Sequence, residues 1–147
     1  MGLINLPGSG VVYLDANSII YAVEKHPDYA PLLDHLWPAA QAQTIELISS
    51  ELSLMECLIG PLKSGDLVLQ TTYETTLLRS EMRLLAITQS ILRDAAQLRA
   101  ATKLRTPDAI HAATAKQVGC SLFVTNDTGF RAVPGLPVVI LDDLRTP

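Results

Sequence analysis

The sequence is poor in the residues that cross-link small secreted domains or hold structural zinc. Only two of its 147 residues are cysteines, Cys57 and Cys120, and both have apolar neighbours. Two isolated thiols of this kind form neither a disulfide framework nor a metal-ligand cluster. We therefore predict that both are reduced core residues of a cytoplasmic protein.

Long apolar segments are missing as well. No apolar run approaches the ~18–20 residues that a membrane-spanning helix needs, and the opening MGLINLPGSG lacks the regions of a secretory signal. We expect no membrane association, a flexible tail over residues 1–10 and a single domain over residues 11–147. With 48% hydrophobic and 18% charged residues, a chain of 147 residues can bury a proper core.

Aromatic residues and positive charge, two common features of RNA-binding surfaces, are scarce. Aromatic residues make up 5% of the chain, which argues against a base-stacking surface. The net charge of −4 is unusual for a protein that binds nucleic acid. The charge is uneven, however, because residues 79–105 carry +4 and the rest of the chain −8. This segment forms either an ordinary solvated helix face or a set of contacts to a polyanion backbone. Its basic residues are Arg79, Arg83, Arg93, Arg99, Lys103 and Arg105.

Short β-rich runs alternate with helical patterns along the whole chain. This alternation predicts an α/β fold with a mainly parallel central sheet of four to five strands, covered by helices on both faces. Strands are expected at 11–14, 44–48, 83–87, 121–125 and 137–141, and helices at 16–25, 28–43, 49–60, 64–78, 88–102 and 107–118, with Pro38 interrupting the second helix.

Several residues mark predicted helix ends. Thr88 and Thr106 are expected N-caps, the latter because Pro107 is already fixed near helical φ. Ser49 or Ser50 is expected to open the third long helix, and Gly60-Pro61 to end it. Gly119 is a good residue to end the helix over 107–118.

Three carboxylates are predicted to lie near the carboxyl ends of strands. Asp15 directly follows VVYL, and Asp127 follows LFVT after one intervening residue. Asp108 lies in the first turn of the helix that leads into LFVT. Ligand sites in open α/β sheets form beyond the carboxyl ends of the strands, so we expect these side chains to converge. Taken alone, Asp108 is more simply explained by its favourable interaction with the helix macrodipole.

Glu56 is a fourth candidate because it borders the apolar side of its predicted helix. It lies about 40° from Leu52 around the helix axis, and no basic residue is three or four positions away. Such a carboxylate either extends to water or has a partner elsewhere. Four converging carboxylates would raise one another's pKa values, a cost that a divalent cation removes. Oxygen ligands without a Cys or His cluster favour Mg²⁺ or Mn²⁺ over zinc.

The stretches that carry these acids are YLDANSIIY, ISSELSLMEC, RTPDAIHAATA and FVTNDTGF, and VVILDDL closes the pattern. Together they resemble the motifs of PIN-domain ribonucleases of the VapC toxin type, over nearly the whole chain. The resemblance implies a PIN-like three-layer α/β/α sandwich. Where many members have a further acid, this sequence has Gly129, so the resemblance does not extend to a fifth acidic ligand. The implied catalytic and metal-binding residues are Asp15, Glu56, Asp108 and Asp127, with Asn17, Thr125 and Asn126 as cofactor-binding neighbours.

The resemblance also implies an activity and partners. One or two Mg²⁺ or Mn²⁺ ions would activate a water that hydrolyses an RNA phosphodiester bond, leaving 5′-phosphate and 3′-hydroxyl ends. A cognate antitoxin would hold the protein inactive, and an antitoxin Arg could pair with the acidic residues. The helices around Leu32, Leu36 and Trp37, and the region 58–69, are candidate surfaces for the antitoxin and for a homodimer.

Other interpretations remain open from the residues. A non-catalytic PIN-like interaction module or a housekeeping RNA-processing nuclease would share the same fold. A haloacid-dehalogenase phosphatase is disfavoured, because neither a D-x-D pair nor a downstream catalytic lysine is apparent. His111, one turn after Asp108, is expected to pack or to form a hydrogen bond and not to contact substrate, since no nucleophile or base partner is visible.

Overall fold

The computed structural model describes residues 4–6 and 9–145, in which strands and helices alternate. The strands are β1 (Val11–Leu14), β2 (Glu46–Ser50), β3 (Arg83–Leu85), β4 (Leu122–Thr125) and β5 (Val138–Ile140). The helices are α1 (Ala16–Val23), α2 (Ala30–Leu33), α3 (Leu36–Gln41), α4 (Leu52–Ser64), α5 (Leu67–Leu78), α6 (Gln89–Ala101) and α7 (Thr106–Val118). Two 3₁₀ helices, Thr128–Ala132 and Leu141–Leu144, follow β4 and β5.

The five strands form one parallel sheet in the order β3-β2-β1-β4-β5. The chain moves outward from β1 in one direction and then returns to add β4 on the other side. The strand order therefore reverses between β1 and β4, which is where open α/β sheets form their sites. In the register of these two strands Leu14 is opposite Val124. The residues that follow both strands consequently emerge side by side at the carboxyl edge.

Two apolar cores cover the two faces of the sheet, which confirms the predicted three-layer α/β/α architecture. Alternate residues of β1 face opposite ways: Val12 and Leu14 belong to the core built with α1 to α5, and Tyr13 belongs to the core built with α6 and α7. The second core is lined by small alanines of α7, which let that helix lie close to the sheet.

Three predicted element boundaries are wrong for reasons that involve proline or strand pairing. The interruption expected within 28–43 is present but lies before Pro38, between α2 and α3, because in a continuous helix Pro38 would clash with the carbonyl of Asp34. Pro61 lies inside α4, which ends instead at Gly65 with φ of +71°. The strand expected at 44–48 is shifted to Glu46–Ser50, where it pairs with β3.

The predicted helix caps are partly confirmed. The Thr88 hydroxyl accepts a hydrogen bond from the Ile91 N–H at 3.1 Å and caps α6, and Gly119 ends α7 in the left-handed region. Ser49 and Ser50 are instead the last residues of β2, although the Ser50 hydroxyl accepts from the Leu52 N–H at 3.0 Å. Thr106 is the first residue of α7 and makes no cap of its own.

The predicted tail over residues 1–10 lies partly outside the described residues. Within the described part, Ile4 is buried against the first core and its carbonyl is 3.3 Å from the His35 ring. Cys57 and Cys120 are buried and free, as expected. None of the described helices is long and apolar enough to cross a membrane.

We expect Thr88→Ala to lower the free energy of unfolding by about 1 kcal/mol, because α6 loses the side chain that satisfies one of its first N–H groups. Thr106→Ala is the matched control, since the Thr106 hydroxyl accepts only an exposed hydrogen bond from Arg99 at 2.9 Å. Urea unfolding of both variants in EDTA gives the comparison. A loss at Thr106 that equals or exceeds the loss at Thr88 would contradict this assignment of the caps.

Candidate active site

The end of β1 and the end of β4 are joined by a buried hydrogen bond. Thr125 donates from its hydroxyl to Asp15 Oδ2 at 2.5 Å, and the Asp15 Oδ1 atom accepts from the Ser18 N–H at 3.1 Å. Asp15 is only 6% exposed, and burial raises the pKa of its carboxyl, against the effect of these hydrogen bonds and of nearby His111. The Asp15 carboxylate is thus held in one orientation before any ligand binds.

Asp127 is placed by the same threonine. The Thr125 hydroxyl accepts from the Asp127 N–H at 3.1 Å, and Asp127 begins the following 3₁₀ helix by accepting from the Gly129 N–H at 2.8 Å. A Cβ atom at position 129 would lie 3.0 Å from Asp127 Oδ1, so a side chain there would press on this carboxylate. Gly129 therefore keeps the Asp127 turn compact.

Asp108 lies close enough to the other acids for their charges to act on it. Burial raises the pKa of the half-buried Asp108 carboxyl, and the charges of Asp127 and Asp15 raise it further, whereas His111 and Arg105 lower it. Among the described residues no Arg or Lys forms a salt bridge with Asp15, Asp108 or Asp127. The three carboxylates thus share one electrostatic environment without a basic side chain bridging them.

Glu56 differs from the other three acids because it has a specific partner. Its Oε1 atom is 2.7 Å from Nε2 of His111, and Nδ1 of the same ring is 2.7 Å from the Tyr13 hydroxyl. The sequence prediction that His111 forms a hydrogen bond is confirmed. The partner that Glu56 lacked within its own helix comes from α7, 55 positions away along the chain.

Sequence reasoning did not connect His111 to Glu56, and it did not single out Tyr13. His111 is one helical turn after Asp108 and lowers the pKa of both Asp15 and Asp108, so it lies among the acids. The available signal was its i+3 spacing from Asp108, which puts both side chains on one side of α7. Tyr13 gave no comparable signal, because a tyrosine in a β-rich run is usual core composition.

The other predicted neighbours have different surroundings. Asn17 is exposed in the first turn of α1, and Asn126 accepts from the Asp142 N–H at 2.9 Å. The Asn126 side chain therefore holds the 3₁₀ helix that follows β5. Thr125 contacts Asp15 directly, as described above. Cofactor binding by these three residues stays a prediction.

The donor set has the chemistry of a hard-cation site. Asp15, Asp108 and Asp127 offer only oxygen atoms, and the charges of Asp127 and Asp15 raise the pKa of Asp108, a cost that a divalent cation would remove. Over the described parts of the chain, no three His, Cys, Asp or Glu side chains form a group that could hold a metal ion as they lie. The chemistry therefore fits Mg²⁺ or Mn²⁺, and the carboxylates would have to close around it.

A cleft of about 520 Å³ opens beside these acids. Asp108 and Asp127 line one part of it, and Lys103 and Arg105, from the loop between α6 and α7, line another. The Arg99 side chain supports this loop by donating to the Leu104 carbonyl at 3.2 Å. The cleft thus combines two carboxylates with two cationic side chains.

Comparison with known proteins gives a family and a set of related folds. The PIN domain family model matches residues 12–136, a range that includes all four acids. Curated protein sequences give no match. Among solved structures, the chain is similar to VapBC2 from Rickettsia felis bound to a DNA fragment from their promoter, with 21% identity and a TM-score of 0.70 over 88% of this chain and 98% of that chain.

Two further solved structures have similar values. A toxin–antitoxin complex from Klebsiella pneumoniae has 24% identity and a TM-score of 0.67, over 88% of this chain and 97% of that chain. FitAcB from Neisseria gonorrhoeae has 22% identity and a TM-score of 0.67, over 90% of this chain and 99% of that chain. At these identities the similarity shows a shared fold.

The raised pKa of Asp108 leads to a pH-dependent prediction for the metal-free protein. A carboxyl whose folded pKa exceeds its unfolded value destabilises the fold once it ionises, and this cost disappears below the ordinary value of 3.8. We expect Asp108→Asn to raise the free energy of unfolding at pH 7 by a fraction of the ~1.4 kcal/mol that one pKa unit represents, since solvent screens this half-buried group. The gain should shrink as the pH falls towards 4.

Urea unfolding in EDTA at the two pH values measures this effect. Asp34→Asn, at an exposed position far from the acids, is the control for a generic change of charge. If Asp108→Asn is clearly less stable than the parent protein at pH 7, Asp108 acts mainly through the helix macrodipole.

Proposed function

Because this chain belongs to the PIN domain family, we propose that it is a divalent-metal-dependent endoribonuclease and the toxin of a toxin–antitoxin pair. The observation that carries the proposal is the convergence of Asp15, Asp108 and Asp127 at the carboxyl edge of the sheet, without a bridging basic residue. Toxin–antitoxin complexes among the similar solved structures support the second part. An RNA substrate would place the protein in the cytoplasm.

Asp15, Asp108 and Asp127 would hold Mg²⁺ or Mn²⁺, and Glu56 would reach it with the carboxylate oxygen that His111 does not use. When bound, such an ion lowers the pKa of water and offsets the charge of the phosphate. The protein's own part is orientation: Thr125 and the Ser18 N–H fix Asp15, and the turn at Gly129 fixes Asp127. Water and not the RNA 2′-hydroxyl is the proposed nucleophile.

We place the RNA backbone in the cleft beside Asp108 and Asp127. Of the basic segment 79–105, Arg83 is 3.7 Å from Glu46 and Arg99 is engaged with the Leu104 carbonyl and Thr106. Lys103 and Arg105 are exposed and line the cleft, so they are the best candidates to contact phosphates on either side of the cut. Contacts of this kind position the strand without reading its sequence.

The antitoxin surface needs one correction to the sequence prediction. Leu32 and Leu36 are fully buried and cannot contact a partner. Trp37 instead lines a groove of about 360 Å³ between α1, α3 and α5, with Val23 and Thr72 on its other walls. We propose that an antitoxin segment occupies this groove and folds on binding.

The region 58–69 lies within an apolar surface that suits a second contact. Leu67 and Val68, at the start of α5, are 73% and 79% exposed, and α4 adds further large apolar side chains. Exposed apolar patches of this kind mark interaction sites. The exposed members are Met55, Ile59, Leu62, Leu67 and Val68. This surface is our candidate for the homodimer or for additional antitoxin contacts.

We expect the purified protein to cleave single-stranded RNA in Mg²⁺ or Mn²⁺ and to lose this activity in EDTA. Asp15→Asn should reduce the rate by at least ~100-fold, because one buried oxygen donor of the proposed metal site is weakened. Asp34→Asn is the matched control and should cleave normally. End-labelled products identify the chemistry: cleavage in EDTA, or products with 2′,3′-cyclic phosphate ends, would contradict the proposed hydrolysis by water.

We expect induction of the protein alone to arrest growth of its host, and co-expression of the neighbouring antitoxin gene to restore it. The active-site variant Asp15→Asn should not arrest growth. Trp37→Arg should arrest growth but escape the antitoxin, since a charged side chain would fill the proposed groove. Normal growth on induction with the neighbouring gene deleted, together with RNA cleavage in vitro, would favour a housekeeping nuclease.

A further inference from the structure

A continuous hydrogen-bond chain connects the centre of the sheet to Glu56. It runs from the Tyr13 hydroxyl to His111 Nδ1 at 2.7 Å, and from His111 Nε2 to Glu56 Oε1 at 2.7 Å. The three residues come from β1, α7 and α4, so the chain joins the sheet to helices of both apolar cores. Such a cross-layer connection is not needed to satisfy Glu56, whose side chain is 26% exposed and could be hydrated.

The hydrogen bond between His111 and Glu56 has one consistent donor. Burial raises the pKa of Tyr13 well above its ordinary value, so its hydroxyl keeps its proton. The Glu56 carboxylate only accepts, and His111 Nε2 must therefore carry a hydrogen. Nδ1 shares the other hydrogen bond with the Tyr13 hydroxyl, which can donate to it or accept from it. Both ring nitrogens of His111 are therefore satisfied.

The far end of the chain is firmly anchored. Tyr13 is fully buried in the middle strand, and its ring stacks on Phe123 with a centroid distance of 5.2 Å and an interplanar angle of 8°. His111 meets the Tyr13 ring edge-on at 5.8 Å and is only 2% exposed. Neither ring can turn without displacing packed neighbours, so both hydrogen bonds have fixed directions.

We propose that Tyr13 and His111 are positioning residues, which hold one oxygen of Glu56 and thereby direct its second oxygen towards Asp15 and Asp108. The assignment rests on the proposed function for the role of Glu56, but the hydrogen-bond chain itself does not. Hydrogen-bond partners of metal ligands orient those ligands, and the loss of such a partner typically lowers metal affinity or activity by about 10–100-fold. His111 has no free ring nitrogen with which to contact substrate itself.

The first test measures Mn²⁺ affinity by electron paramagnetic resonance, independently of cleavage. We expect His111→Ala to weaken Mn²⁺ binding by about 10–100-fold. His111→Gln should restore most of the affinity, since its amide can donate to Glu56 and accept from Tyr13. Tyr13→Phe, which keeps the stacked ring, should cause a smaller loss. His26→Gln, outside the site, is the matched control.

The second test detects the hydrogen on His111 Nε2 directly. Long-range ¹H–¹⁵N NMR of the metal-free protein in EDTA should show a hydrogen on Nε2, assigned by the loss of the His111 signals in His111→Gln. In Tyr13→Phe the signal of Nε2 should change less than that of Nδ1, which loses its partner. Cleavage assays of the same variants should show a lower kcat with an unchanged KM for RNA.

Three results would overturn the inference. One is a His111 ring whose Nε2 carries no hydrogen. Another is unchanged Mn²⁺ affinity and kcat in a folded His111→Ala protein. The last is a folded His111→Gln protein as impaired as His111→Ala, which would assign His111 a direct role. A further outcome separates the two proposals. If Nε2 of His111 carries a hydrogen and the Mn²⁺ affinities change as expected, but the parent protein cleaves no RNA, the proposed function fails and the positioning role remains.

Discussion

The site depends on one buried charge, the carboxylate of Asp15 at the end of the central strand. Burial of a carboxylate is unfavourable unless hydrogen bonds or a counter-charge compensate it. The fold supplies this compensation from the two elements that flank the strand end: α1 provides the Ser18 N–H, and β4 provides Thr125. The parallel pairing of β1 with β4 is what puts Thr125 within reach. The register of β1 and β4 therefore determines how the buried charge of Asp15 is compensated.

The second apolar core positions further residues of the site through the composition of α7. Its buried face is built largely of alanine, so the helix backbone approaches the sheet closely. Close approach brings Asp108 and His111, one turn apart, to the carboxyl edge where Asp15 lies. Larger side chains on this face would move both groups away. The small residues thus determine how closely Asp108 and His111 approach the edge of the sheet.

Acids that destabilise one another when unpaired are a common cost of a functional site. Here the repulsion between the acids is confined to one edge of the sheet and does not affect the two apolar cores. The large exposed apolar side chains of α4 and α5 are a separate liability on the molecular surface. Such a surface is best explained by a partner, and it is distinct from the cleft that holds the acids.

The sequence by itself determined the alternation of strands and helices, and with it the parallel sheet and the edge at which Asp15, Asp108 and Asp127 lie. It could do so because strand period, helix starts and the position of an acid after a strand are local properties of the chain. The helix boundaries near Pro38 and Pro61 were harder to predict, since a proline is tolerated or not according to its place within a helix turn. The boundary at Ser50 depends on the pairing of β2 with β3, which is a tertiary contact.

Only the tertiary structure decided which side chains meet across the layers. Glu56 had no partner within its own helix, and the structure supplies His111 from 55 positions away and Tyr13 from the sheet. The same holds for Leu32 and Leu36, whose apolar pattern suits a docking surface as well as a core until packing buries them. Hydrophobic periodicity indicates which face of a helix or strand is apolar. Which elements cover that face, and which polar atoms meet as a result, depends on contacts between segments distant in sequence.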